Sequence, residues 1–117
     1  MNLDEFEAEV DSVLASLPPW VVARMDNVVI VVERRPLKMQ NPDGGTLLGL
    51  YEGVSLAERG VDYYAVTPDR ITVFYEAHMA LGLSDELLRS EIRTTVLHEL
   101  GHHIGIDDDR LDEIGWS

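Results

Sequence analysis

Leu3, Phe6, Val10, Val13, Leu14 and Leu17 recur at helical spacing, with Asp4, Glu5, Glu7, Glu9 and Asp11 between them, so the chain opens on an amphipathic helix. Asn2 stands where an N-cap belongs, the early acids suit the positive end of the helix dipole, and Pro18-Pro19 stops the element. Trp20 to Met25 allows a short helical turn before the β-branched run Val28-Val29-Ile30-Val31-Val32, which reads as a buried strand ending before Pro36. Asn41-Pro42-Asp43-Gly44-Gly45 is turn chemistry. Thr46 to Tyr51 follows as a second strand, with Gly49 marking a bulge or a close backbone approach.

Glu52 to Gly60 reads as loop, and Tyr63 to Val66 as a short additional strand. Pro68-Asp69-Arg70 predicts a turn into the alternating strand Ile71-Thr72-Val73-Phe74-Tyr75. Ser84 is the expected N-cap of a long helix, with Asp85 and Glu86 in its first turn. Leu88, Ile92, Val96 and Leu100 fall four apart and form its buried stripe, and His98 and His102 lie off that stripe.

The chemistry sits at the end of this helix. Residues 98 to 108 read His98-Glu99-Leu100-Gly101-His102-His103-Ile104-Gly105-Ile106-Asp107-Asp108, the pattern His-Glu-x-x-His extended by x-x-Gly-x-x-Asp. Positions four apart on an α-helix lie about 40° apart around the axis, so His98 and His102 can present imidazole nitrogens to one metal ion. Glu99, about 100° round from His98, can reach a water activated by that ion without being a ligand. Gly105 supplies the left-handed conformation that ends a helix and turns the chain back. Asp108, three residues on, is the expected third ligand, with Asp107 as its rival in the run Asp107-Asp108-Asp109. The three fixed letters alone would arise by chance in a chain this long less than about once in a hundred, and the added glycine and carboxylate lower that by more than about a further hundredfold. The pattern therefore outweighs a merely polar helix end.

His103 lies about 140° from His98 and cannot share its metal; it is expected in the core, as a cap, or behind the ligands. His78 follows the third strand and is expected in a surface loop. Tyr51, Tyr63, Tyr64 and Tyr75 are expected to pack.

Composition narrows the partners. Twenty-two acidic against nine basic residues give a formal charge of −13, which repels a phosphate backbone and disfavours nucleic acid. With no cysteine, there is neither a disulfide framework nor a thiolate site, so zinc must be held by nitrogen and oxygen. The chain of 117 residues suits a single domain, 1–117. No apolar run is long enough to span a bilayer and the N-terminus lacks a secretory pattern, so no membrane partner is expected and the expected compartment is the cytoplasm.

The chain resembles the minimal zincin-like metallopeptidases, short bacterial proteins with a reduced zincin core. The supporting segments are Leu47-Leu48-Gly49-Leu50-Tyr51-Glu52-Gly53, Thr67-Pro68-Asp69-Arg70-Ile71-Thr72-Val73-Phe74, and the stretch from Val96 through Asp109-Arg110-Leu111 to Gly115-Trp116. The resemblance implies an α+β fold: a small mixed or antiparallel sheet packed on the metal-binding helix, with an N-terminal amphipathic helix. It also implies one zinc ion held by His98, His102 and Asp108, Glu99 as general base, and a peptide or protein substrate. The chain departs from the larger metzincins, because no methionine follows Met79 to form a Met-turn beneath the metal. Two alternatives are a catalytically silent zinc-binding module and a nuclease with the related His-x-x-x-His-x-x-Gly-x-x-His arrangement. Glu99 and the negative charge weigh against the nuclease.

Overall fold

The computed structural model describes residues 1–60 and 67–116; the strand expected at Tyr63–Val66, with Tyr63 and Tyr64, lies outside them. In chain order the elements are α1 (Leu3–Ala15), α2 (Pro19–Arg24), β1 (Val28–Glu33), β2 (Gly49–Glu52), β3 (Asp69–Phe74), α3 (Tyr75–Met79), α4 (Asp85–Ile104) and α5 (Asp108–Glu113). No helix among the described residues is long and apolar enough to cross a membrane.

Local chemistry accounts for the helix ends. Asn2 and Glu5 close a reciprocal capping box, the Glu5 N–H donating to Asn2 Oδ1 at 2.8 Å and the Asn2 N–H to Glu5 Oε1 at 3.0 Å. Pro19 occupies the first position of α2, where a missing N–H breaks no helical bond. Ser84 caps α4 by accepting from the Leu87 N–H at 3.3 Å. Twenty residues later α4 stops at Gly105, whose φ of 98° is costly for any side-chain-bearing residue.

The sheet is mixed, in the order β1-β3-β2. β1 runs parallel to β3, pairing Ile30 with Ile71, and β2 runs antiparallel to it, pairing Tyr51 with Ile71. The central position of β3 explains its burial: Ile71, Val73 and Phe74 are fully enclosed. β1, expected to be buried, is instead at the edge of the sheet among the described residues, with Val29 42% exposed. β3 begins at Asp69, which was expected in a turn, and the chain turns helical at Tyr75.

One core joins these layers. Phe6, Val10 and Val13 of α1 meet Leu88, Ile92, Val96 and Leu100 of α4 together with Ile71 and Val73 of the sheet. Burying each such side chain contributes roughly 1.5–3 kcal/mol of transfer free energy, so α4 is fixed along its length. His78 belongs to this interior: it lies in α3, completely buried, not in a surface loop. Its Nδ1 donates to the Phe74 carbonyl at 2.7 Å and its Nε2 meets the Thr95 hydroxyl at 2.9 Å. Both ring nitrogens being satisfied, burial holds the imidazole below its ordinary pKa.

Two glycines let backbones close on α4. A Cβ at Gly49 of β2 would stand 2.7 Å from Thr95 Cγ2 and 3.1 Å from Glu99 Cγ, so the expected close approach is to the motif helix itself. A Cβ at Gly101 would collide with Leu111, the fully buried side chain by which α5 docks on α4.

Candidate metal centre

The last two turns of α4 bring three donors together. His98, Glu99 and His102 each offer a ligand atom lying within 4.8 Å of the other two. The imidazole rings meet edge to face, with centroids 4.6 Å apart at 72°. His98 Nδ1 donates to the Trp116 carbonyl at 3.0 Å, which leaves the Nε2 lone pair for a metal. His102 lies between two carboxylates, with Nδ1 3.2 Å from Glu99 Oε1 and Nε2 2.9 Å from Asp108 Oδ1. Imidazole nitrogen and carboxylate oxygen are donors suited to zinc.

The rival acids separate by their local roles. Asp107 is the N-cap of α5, its Oδ1 accepting the Arg110 N–H at 2.9 Å. Asp108, one residue on, reaches His102 from the rim, outside the tighter three-residue group. Its carboxyl lies below the ordinary value because of the His102 hydrogen bond and then the charge of that ring. Glu99 differs in kind: it is 6% exposed, and burial raises its carboxyl pKa against the opposing influence of the two histidines.

Two hollows flank the donors. One, of about 290 Å³, is lined by Thr46, Leu48, Gly49, Thr95, His98 and Glu99. The other, of about 330 Å³, is lined by Tyr51, Gly53, Ala57, His102, Gly105 and Asp107 among others. β2 borders both, through Gly49 in the first and Tyr51 in the second.

Behind the centre lies a buried polar cluster built on Asp69. Its Oδ2 accepts from the Tyr51 hydroxyl at 2.6 Å, His103 Nδ1 at 2.8 Å and Arg59 at 3.0 Å, and its Oδ1 accepts the Val54 N–H at 3.2 Å. Burial alone would raise the Asp69 carboxyl, but hydrogen bonds from Tyr51, His103 and Val54, with the Arg59 charge, bring it below its ordinary value. Tyr51 shifts the other way, its phenol raised by burial and by the adjacent carboxylate, so it stays protonated as a donor. His103 is fully buried, and its Nε2 accepts the Asp26 N–H at 3.2 Å. It is the residue after His102, so the cluster ties the ligand helix to β2, β3 and the 53–59 loop. The single sequence carries no signal for Asp69 as a hub or for the Trp116 carbonyl behind His98.

In a comparison with protein families, residues 25–116 match the family described as zincin-like metallopeptidase. No individual curated protein matches the chain. The matched region takes in all three strands and the whole of α3, α4 and α5, including each donor of the metal centre, and leaves out α1 and α2. With an α+β architecture of the reduced zincin kind and a His-Glu-His group at the end of its longest helix, the chain belongs to the zincin-like metallopeptidase family.

Proposed function

We propose that the protein is a zinc-dependent peptidase in which His98, His102 and Asp108 hold one ion and Glu99 is the general base. The observation that carries this reading is Glu99, a carboxylate buried between two half-buried histidines and facing a groove. A purely structural zinc site is closed by four protein ligands, whereas two histidines and one aspartate leave a position for chemistry. Zinc at such a site supplies Lewis-acid polarisation of a carbonyl and acidification of a water molecule. Glu99 need not bind the ion itself: its carboxylate oxygen, beside the groove, takes a proton from the attacking water and delivers it to the leaving amine. His98 keeps one ring face because Trp116 holds its Nδ1–H.

β2 supports a peptide substrate. Among the described residues it pairs only with β3, so its outer edge offers N–H and C=O groups to an extended chain passing Glu99. The test is hydrolysis of a mixed peptide library by zinc-loaded and zinc-stripped protein, followed by mass spectrometry. Cleavage is expected only with zinc. An intact library at stoichiometric zinc would instead favour the silent module.

The ligand set has its own test. Purified protein should carry close to one zinc per chain by elemental analysis, and His98→Ala and His102→Ala should each lose it. In chelator competition Asp108→Ala should weaken zinc far more than Asp107→Ala, whose main effect should be the loss of a helix cap, typically about 0.5–2 kcal/mol of stability. Undiminished zinc in both histidine variants would remove the assignment, and a reversed order of the aspartates would move the third ligand to Asp107.

A further inference from the structure

We infer that the stacked pair Trp20 and Trp116 is the positioning element of the His98 ligand, so that α2, outside the matched family region, sets how tightly the centre holds its metal. The two indoles lie 5.4 Å apart at 13°, nearly parallel. Trp116 is also fixed by its backbone: its N–H donates to the Leu111 carbonyl at 2.8 Å, and Leu111 is the side chain seated on Gly101 of α4. Its carbonyl accepts the His98 Nδ1–H at 3.0 Å. On the other side, Trp20 lies in α2, where the Arg24 guanidinium stands 5.6 Å from its ring centroid. A continuous path therefore runs from Arg24 and Trp20 through the Trp116 ring and backbone to a metal-binding imidazole.

The physical reason for such a device lies in the geometry of imidazole ligands. A metal-binding histidine almost always donates its other ring N–H to a partner that fixes its tautomer and orientation, and loss of that partner commonly weakens metal binding about 10–100-fold. Histidine ligands are held by a carboxylate, a backbone carbonyl or water. Here the holder is the carbonyl of a residue just past the end of α5, with no helix or strand of its own to fix it. Stacking on Trp20 holds that segment from the side of its ring, in addition to the backbone bond to Leu111. Aromatic pairs of this kind contribute beyond their buried area because the rings constrain each other's orientation.

The inference rests on the zinc reading but not on hydrolysis, so its test reads metal affinity and tryptophan emission. Zinc affinity is measured by competition with a chromophoric chelator for the wild type, Trp20→Ala, Trp116→Ala and the double variant. Each single variant should bind zinc about 10–100-fold more weakly. The double should be little worse than either single, because both remove one stack. Trp20→Phe should restore most of the affinity. Val13→Ala, which opens the α1 core without touching the stack, should leave it unchanged and so separates positioning from general destabilisation. As the chain's two tryptophans are Trp20 and Trp116, zinc added to the wild type should alter their emission, and the response should vanish in His98→Ala. Affinity within twofold of the wild type in Trp20→Ala, or an equal loss in Val13→Ala, would overturn the inference while leaving the zinc site intact. A wild type that binds no zinc would overturn both.

Discussion

Glu99→Gln should retain its zinc and lose its hydrolysis by about 10²- to 10⁴-fold, the usual range for removing acid and base assistance. Glutamine keeps the volume of the side chain in a position that is 6% exposed, so the core around Leu100 and Val96 should not reorganise. What disappears is the proton acceptor. The His102 Nδ1 contact at 3.2 Å can pass to the amide oxygen, so the ligand ring keeps a partner. Elemental analysis and peptide turnover on the same preparation make the comparison. Turnover surviving unchanged in a zinc-loaded variant would remove Glu99 from the chemistry, whatever the metal content.

Asp69→Ala should be the most damaging single change outside the metal centre, with a loss of about 3–5 kcal/mol, the range for removing one partner of a buried ion pair. Arg59 and Asp69 have side chains 8% and 3% exposed, so water cannot replace the lost partner. Asp26 would still pair with Arg59 at 2.9 Å, but the Tyr51 hydroxyl, the His103 Nδ1–H and the Val54 N–H would all lose their acceptor. Against a typical total of about 5–15 kcal/mol, that places the variant near the threshold of folding. The same carboxylate gives stability a pH dependence of definite sign. Its folded pKa is depressed below the ordinary 3.8, so its contribution is complete above that value and is lost as the pH falls through the folded pKa. Urea denaturation of wild type and Asp69→Ala at neutral pH and in acid measures both effects. A variant as stable as the wild type at neutral pH, or a difference that grows in acid, would contradict this account.

The parts of the fold legible in the sequence are those that depend on near neighbours along the chain. The Asn2–Glu5 capping box, the four-residue stripe of α4, the stop at Gly105 and the convergence of His98 with His102 each span a few residues, and helical geometry dictates them. The Asp69 cluster joins residues 10, 18 and 34 positions apart, and nothing in a single sequence records that Arg59, Tyr51 and His103 share one carboxylate. His78 illustrates the same limit: its loop placement followed from its neighbours, and its burial follows from Thr95, 17 residues away. The β-branched composition of β1 signals a strand but not which edge of the sheet it takes, hence its partial exposure. The run Asp107-Asp108-Asp109 reads in the sequence only as a source of a metal ligand, and α5 begins there because Asp107 caps it and Leu111 anchors it.

The contact of Leu111 with Gly101 changes how the motif itself is understood. Gly101 occupies one of the two unspecified positions between Glu99 and His102, yet it is the surface on which α5 comes to rest. The first turn of α5 carries Asp108, three residues before Leu111. The depth at which a leucine sinks against a bare stretch of helix thus determines the span from His102 to the carboxylate beyond it. A bulkier residue at position 101 would leave the letters of the motif intact and lengthen that span, and the grip proposed for three side chains would be left with two.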